Sequence, residues 1–267
     1  MAAKYLFGDS DLAAHRLQLL ARVFDSSTRA FVRAAAGEVK PALAIDLGCG
    51  PGFTTHLLAE ELGCEKVIGF DASRHFIDLA CARASSRVSF ELHDVLNVPF
   101  GCGAADVLFC RFLLTHIRDP HEAIARWASQ LRPAGLLMLE EVEAIDARVL
   151  VFNEYMRIVA AMLESESHRL YAGAIVREMR PELLKLVRSD LRQVPVTNVD
   201  AAAMFALNLR AWRDSQFIRA NYPVDLITKL GRELEQIARS DSRQSDIQWL
   251  MRQAVFIAEP RDPQAAS

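Results

Sequence analysis

Apolar positions recur along this 267-residue chain in two different rhythms. Over residues 11–36, Leu12, Leu17, Leu20, Phe24, Phe31 and Val32 fall at helical spacing, which predicts one or two amphipathic helices broken near Asp25-Ser26-Ser27. Gly37 and Pro41 punctuate the exit from that region. From residue 40 onward short apolar runs alternate with amphipathic ones. Leu43–Leu47 reads as a strand buried on both faces, and Phe53–Leu62 as the helix after it. Residues 66–70 form a second strand ending at Asp71, followed by a helix over 74–84 that Ser73 can cap and that buries Phe76, Ile77 and Leu79. Val88–Leu92 alternates as a third strand, residues 99–103 turn, and 105–110 is a fourth strand. A crossover over 111–118 ends at Asp119-Pro120, a helix over 121–131 places Ile124, Trp127 and Leu131 on one face, and a turn over 131–135 leads into a strand over 136–139. Five strand–helix units with short connections predict an α/β, doubly wound, mostly parallel sheet.

Beyond residue 146 the pattern changes. Helices are expected over 149–163 and 174–187 around the polar Glu164-Ser165-Glu166-Ser167-His168, then a strand over 191–199. Pro195 lies inside that strand and assigns it to an edge or a bulge. Two further helical runs occupy 200–220 and 224–240, a last apolar strand covers 249–258, and 259–267 reads as a frayed tail. The organisation that follows is an N-terminal helical cap (1–39), an α/β core (40–145), a helical cover with one edge strand (146–248), and a final strand with its tail (249–267). Tyr5-Leu6-Phe7-Gly8 precedes the cap, either packed on the surface or as a flap over the core.

Composition narrows the possibilities. The chain is 51% hydrophobic and 24% charged, as globular proteins are, and its formal charge of −3 disfavours a surface that tracks nucleic-acid phosphates. Arg210, Arg213 and Arg219 share a stretch with Asp214 and read as a solvated face. The five cysteines (49, 64, 81, 102 and 110) contain no C-x-x-C spacing and are read as reduced thiols of an intracellular, cytoplasmic protein. No N-terminal apolar core suits a signal peptide, and the apolar run at 136–139 is too short to span a bilayer, so no membrane partner is expected.

The chemistry concentrates after the first strand, in Asp46-Leu47-Gly48-Cys49-Gly50-Pro51-Gly52. Glycines there allow a tight turn and close approach of a ligand to the backbone, at a helix N-terminus with free N–H groups. The spacing is G-x-G-x-G rather than the G-x-G-x-x-G of dinucleotide folds, and no Lys-Ser/Thr pair follows as in a phosphate-binding P-loop. An acid two residues before the first glycine suits a ligand carrying an ammonium group. Asp71 lies roughly 20 residues past the loop, where an acid accepts hydrogen bonds from ribose hydroxyls.

This loop resembles motif I of the class I S-adenosylmethionine-dependent methyltransferases. Asp71 after strand two, His93-Asp94 after strand three, and Leu131-Arg132-Pro133-Ala134-Gly135 before strand five match that family's later motifs in order. The resemblance implies a seven-stranded Rossmann-like methyltransferase fold whose last strand, at 249–258, is antiparallel. It also implies S-adenosyl-L-methionine as cofactor. Gly48, Cys49, Gly50 and Gly52 would approach the methionine and sugar, with Asp46 drawing the amino group. Asp71 would take the ribose, Ala72 would line the adenine plane, and Asp94 with the Val95 N–H would read the adenine edge. Cys110 and Arg111 would run beside the methionine tail, and Arg16 would reach its carboxylate.

Methyl transfer from a sulfonium requires alignment and exclusion of water, and a base only where the acceptor must lose a proton. His116, after strand four, is the candidate base. Glu140, Glu141, Tyr155 and Tyr171 are candidate acceptor contacts. Arg111 stands where a metal-assisted transferase would need carboxylates, so no metal is expected, although His116, Asp119 and His121 carry ligand atoms. The apolar cover favours a small-molecule acceptor, a metabolite or natural product, in a monomer or homodimer. Protein or RNA methylation, and a non-methylating cofactor-binding protein on the same fold, are the alternatives.

Overall fold

The computed structural model describes residues 10–37 and 40–260. The 5–8 segment and nearly all of the 259–267 tail lie outside the described residues. One helix, α1 (Asp11–Ala36), opens the chain. It does not break at Asp25-Ser26-Ser27. Ser10 caps its start, accepting from the Ala13 N–H at 3.4 Å, and Gly37 ends it at φ 59°. Inside it Asp25 pairs with Arg29 one turn on. Thr28 and Ser27 turn their hydroxyls toward polar groups on the sheet, so this polar stretch serves tertiary contacts without interrupting the helix.

The sheet has seven strands in the order β3-β2-β1-β4-β5-β7-β6. They are β1 (Leu43–Leu47), β2 (Lys66–Asp71), β3 (Val88–Leu92), β4 (Ala105–Arg111), β5 (Leu131–Ala147), β6 (Leu184–Val196) and β7 (Ile247–Ala258). The first five pair in parallel, and β7 lies antiparallel between β5 and β6. On one face Ile45, Leu47, Ile68, Phe70 and Leu108 pack with Trp127 of α4 (Pro120–Ala128). On the other, Ala44, Val67, Phe109 and Met138 pack under α1 and α2 (Phe53–Leu62). α3 (Arg74–Cys81) is shorter than its pattern suggested. Ser73 does cap it, and Phe76 and Ile77 are buried, but Leu79 is 36% exposed.

Two further expectations fail, one through long-range strand pairing and one for a local reason. The fifth strand was expected to stop near residue 139, where Glu140, Glu141, Glu143 and Asp146 begin. β5 instead runs seventeen residues, with the 131–135 turn absorbed as a register shift near its start. Its partner β7 stays paired with it to Ala147 opposite Ile247, so the ladder rather than hydrophobicity sets the length. The helix over 174–187 is only α6 (Gly173–Glu178), because Pro181 disfavours helical geometry at the preceding residue. The strand expected from residue 191 therefore begins at Leu184. Pro195 does lie in the edge strand.

The cover consists of α5 (Leu150–Ser165), α7 (Asn198–Trp212), α8 (Gln216–Asn221) and α9 (Val224–Ala238). Phe152, Tyr155, Phe205 and Trp212 interlock there with Trp249 of β7 and Phe24 of α1. Among the described residues no helix is long and apolar enough to cross a membrane.

Candidate functional site

The sheet order reverses between β1 and β4, the place where open α/β sheets form a ligand crevice beyond their strand ends. The glycine loop after β1 is pinned there. The N–H groups of Gly48 and Cys49 both donate to the Phe70 carbonyl, at 2.8 and 2.9 Å. Gly48 has φ 71°, and a Cβ on it would stand 2.8 Å from the Leu113 side chain. The Asp71 carboxylate spans the next step: Oδ2 accepts from the Gly50 N–H at 2.8 Å and Oδ1 from the Ser73 N–H at 2.8 Å. One acid therefore holds the glycine loop and the β2–α3 turn in fixed relation.

A cavity of about 430 Å³ runs from this loop to the helical cover. Of the candidate residues, Arg16, Gly48, Cys49, Gly50, Asp71, Ala72, Asp94, Val95, Arg111, His116 and Tyr155 line it together. Asp94 also accepts from the Leu96 N–H at 3.0 Å, which shapes the turn after β3. The Val95 carbonyl is held from behind by the Trp127 indole at 2.9 Å.

Six candidates stand elsewhere. Asp46 is buried behind the loop, where Oδ2 accepts the hydroxyls of Thr54 and Thr55 at 2.7 Å each; burial raises its pKa to about 6. It ties α2 to β1 instead of facing a ligand. Gly52 starts α2 at φ 85°, and a Cβ there would meet the Phe90 ring at 2.6 Å, so turn and packing require that glycine. Cys110 is fully buried against Glu141. Tyr171 is directed to the Met156 sulfur at 3.7 Å.

Glu140 and Glu141 do not face the crevice either; both are fully buried. Glu140 Oε2 accepts from the Thr28 hydroxyl at 2.6 Å and Oε1 from the Gln253 amide at 2.6 Å. Thr28 in turn accepts from the Arg111 guanidinium at 2.9 Å. Burial raises the Glu140 pKa and the nearby Arg111 charge opposes the rise. Burial likewise lowers that of Arg111, with Glu140 opposing. Arg111 on the cavity wall is thus braced from α1 and the sheet by a polar chain. Thr28→Val should remove both of its links and destabilise the protein by about 1–3 kcal/mol, read as a lower urea midpoint. Thr28 was detectable in principle, as a polar residue on the apolar stripe of Phe24, Phe31 and Val32.

Glu141 Oε1 accepts from the N–H groups of Leu113 and Leu114 at 2.8 and 2.9 Å, fixing the turn that presents His116. Its Oε2 is buried with no partner, and burial lifts the carboxyl pKa to about 8. His116 retains exposure only in part, while protein surrounds it at longer range. That burial, with the charge of Arg16 and the neighbouring His168, lowers its pKa to about 3. The ring is neutral at physiological pH.

The far half of the cavity is walled by residues that periodicity alone assigned to the core, among them Phe112, Val142, Met156, Met204, Phe205 and Trp249. His168 and Asn208 line it too. His168 lay hidden in what reads as a polar linker. Asn208 carried a signal, since it shares a helical face with Met204 and Phe205. Among the described residues no three His, Cys, Asp or Glu side chains converge as metal ligands.

Residues 44–135 match the model of the methyltransferase domain. This stretch holds the glycine loop, Asp71 and Asp94, and the sheet around it has the expected seven strands with β7 antiparallel. Over those residues the chain is similar to the methyltransferase family. A trans-aconitate 2-methyltransferase of Variovorax paradoxus is 33% identical over 120 residues, 45% of this chain and 45% of that protein. The chain thus spans less than half the length of that curated relative. The N-methyltransferase NodS of Bradyrhizobium japonicum, solved with S-adenosyl-L-homocysteine, shares the fold at TM-score 0.53 and 16% identity over 89% of this chain and 88% of its own. The [4+2]-cyclase SpnF shares it at TM-score 0.54 and 17% identity over 88% of this chain and 82% of its own.

The residues present fit the family's cofactor. The backbone at Gly48 is too crowded for a side chain, the Asp71 carboxylate stands at the adjoining rim, and Ala72, Phe76, Val95 and Leu96 give an apolar slot beside Asp94.

Proposed function

We propose that this protein transfers a methyl group from S-adenosylmethionine to a small-molecule acceptor held beneath the helical cover. The observation that carries this reading is one continuous cavity with two unlike halves. Glycine backbone, Asp71 and Asp94 line one end, and an apolar chamber from the cover lines the other. The cavity beneath the cover and the formal charge of −3 favour a small acceptor over a protein or RNA, and the trans-aconitate relative is named for one.

When bound, the cofactor supplies a sulfonium methyl already activated toward a nucleophile. Asp71 would hold the ribose hydroxyls, Gly48 and Gly50 the methionine portion, and Arg16 its carboxylate. Ala72, Asp94 and the Val95 N–H would frame the adenine. Alignment of donor and acceptor and exclusion of water are then the main contributions of the chain. His116, neutral because of its burial, accepts a hydrogen bond from an acceptor O–H or N–H. It takes that proton as the methylated atom becomes strongly acidic. A pKa near 3 lies far from the working pH, so its catalytic contribution is smaller than that of a well-tuned base. His116→Gln should keep the hydrogen bond, lower kcat by about tenfold and leave cofactor affinity unchanged.

Calorimetric titration with S-adenosylmethionine, S-adenosylhomocysteine and NADH tests the reading first, followed by an acceptor screen for methylated product. Binding of both adenosyl ligands without NADH is the expected result. Absence of adenosyl binding would overturn the cofactor assignment. Binding with no acceptor ever methylated would place the chain with non-methylating relatives of the fold such as the cyclase.

A further inference from the structure

We infer that the acceptor is an uncharged, ring-containing molecule with a second oxygen besides the one methylated, and that Tyr155 and Asn208 read that second oxygen. This rests on the methyltransferase reading above. Three polar atoms around the far half of the cavity are buried without a hydrogen bond of good geometry: Tyr155 Oη, Asn208 Oδ1 and His168 Nδ1; the Tyr155 phenol is within reach of Asn208 and Trp212 but poorly aligned with both. Buried polar atoms in folded proteins are nearly always satisfied, so three around one cavity mark the place of a ligand's polar groups. Tyr155 is 2% exposed and His168 6%, and neither is a surface group whose partner is bulk water.

The geometry assigns these atoms to two stations. His168 lies close enough to His116 for their charges to interact, near the crossover that follows β4. Tyr155 stands on α5 with Asn208 facing it from α7, under the cover. Between them the walls are apolar and aromatic. The Tyr155 ring stacks on Phe205 at 4.1 Å and 16°, Phe205 lies 5.8 Å from Trp249, and the thioethers of Met156 and Met204 complete the surface. Flat rings and adaptable sulfur side chains suit a planar or cyclic skeleton.

Charge decides against an ionic acceptor. The charged groups lining the cavity are Arg16, Asp71, Asp94 and Arg111. Asp71 ends β2 and Asp94 follows β3, both at the cavity end that the glycine loop lines, and Arg111 is bound to Thr28. Arg16, assigned to the cofactor carboxylate, is then committed. A polycarboxylate would meet neutral imidazoles, a phenol and an amide, and an ammonium acceptor would find no carboxylate beyond the cofactor end. A hydroxyl or carbonyl oxygen matches what remains, because the phenol O–H and amide N–H donate and the Asn208 carbonyl accepts.

The test uses the full chain loaded with S-adenosylhomocysteine and four probes: 2,7-dihydroxynaphthalene, 2-hydroxynaphthalene, 3-hydroxy-2-naphthoate and trans-aconitate. The dihydroxy compound is expected to bind at least tenfold more tightly than the monohydroxy one, and the two carboxylates more weakly than either. Tyr155→Phe and Asn208→Leu should each erase most of the tenfold difference and leave S-adenosylhomocysteine affinity unchanged. Both variants should also hold or raise the Tm of the ligand-free protein, because a polar atom kept for a ligand adds nothing to the empty fold. A lowered Tm in both would show that the pair is structural and overturn the inference. Tighter binding of either carboxylate, or no binding of any naphthol, would also overturn it while leaving cofactor binding intact. Failure of S-adenosylhomocysteine to bind the unmodified protein would instead remove the methyltransferase reading and this inference with it.

Discussion

Replacing Asp71 with alanine is expected to weaken binding of S-adenosylhomocysteine by about 30- to 100-fold. The carboxylate accepts one backbone N–H from the glycine loop and one from the start of the next turn, and it faces the cavity where a ribose would lie. Hydrogen bonds to a charged group are worth roughly 1.5–3 kcal/mol, and 1.4 kcal/mol is a factor of ten in affinity. Alanine loses the ribose contact and also frees Gly50 from its tether, so the loop must be reordered on binding. Asp71→Asn keeps one carbonyl acceptor of the same size and should lose about tenfold. Calorimetry at pH 7 measures both, with a urea melt to confirm that each variant is folded. An alanine variant that binds as well as the parent would remove Asp71 from the site.

The second large effect concerns Glu141 and appears as a pH dependence of stability. Burial raises its carboxyl pKa from the ordinary 4.5 to about 8. Between those values the folded state holds a proton that the unfolded chain has released. Stability contributed by this group therefore falls as pH rises from about 4.5 to 8, since the unfolded state binds fewer protons there. His116 acts in the opposite sense: its lowered pKa makes stability rise with pH between about 3 and 6.5. Comparing the parent with Glu141→Gln isolates this group, because His116 and Asp46 are present in both proteins. Glutamine reproduces the protonated acid. Its carbonyl can accept from Leu113 and Leu114, and its NH₂ fills the place of the unpartnered Oε2. The two proteins should be equally stable at pH 5. At pH 8.5 the variant should be more stable by on the order of 2 kcal/mol, a Tm difference of about 4–8 °C. Parallel pH profiles would mean that Glu141 titrates normally.

The same residue shows where pattern reading stops. Glu140 and Glu141 end the apolar part of β5, and a carboxylate at the end of a strand in this kind of sheet reads as part of the crevice. What reverses the reading is β7, which arrives from more than a hundred residues away and extends β5 past both acids. Thr28 and Gln253 then close over Glu140, and the backbone of the β4 crossover closes over Glu141. Asp46 is a similar case, turned back to Thr54 and Thr55 by the helix that starts at Gly52.

The sequence alone determined the parts that rest on local chemistry. Strand and helix periods gave the order of elements through the nucleotide-binding half, the Ser73 cap, and the edge position of the strand carrying Pro195. Glycine spacing and the acids after β2 and β3 picked out residues that line one end of the cavity, because chain geometry alone places strand ends side by side in a parallel sheet. Only the tertiary structure decided the length of β5, the burial of the two glutamates, and which face of each cover helix meets the cavity. Those depend on partners distant in sequence: an aromatic or an asparagine on an amphipathic helix has the same spacing whether it faces core or ligand. Tyr155 and Asn208 became distinguishable from their neighbours only when α5 and α7 were folded over the sheet and their polar atoms were buried beside the cavity without well-formed hydrogen bonds.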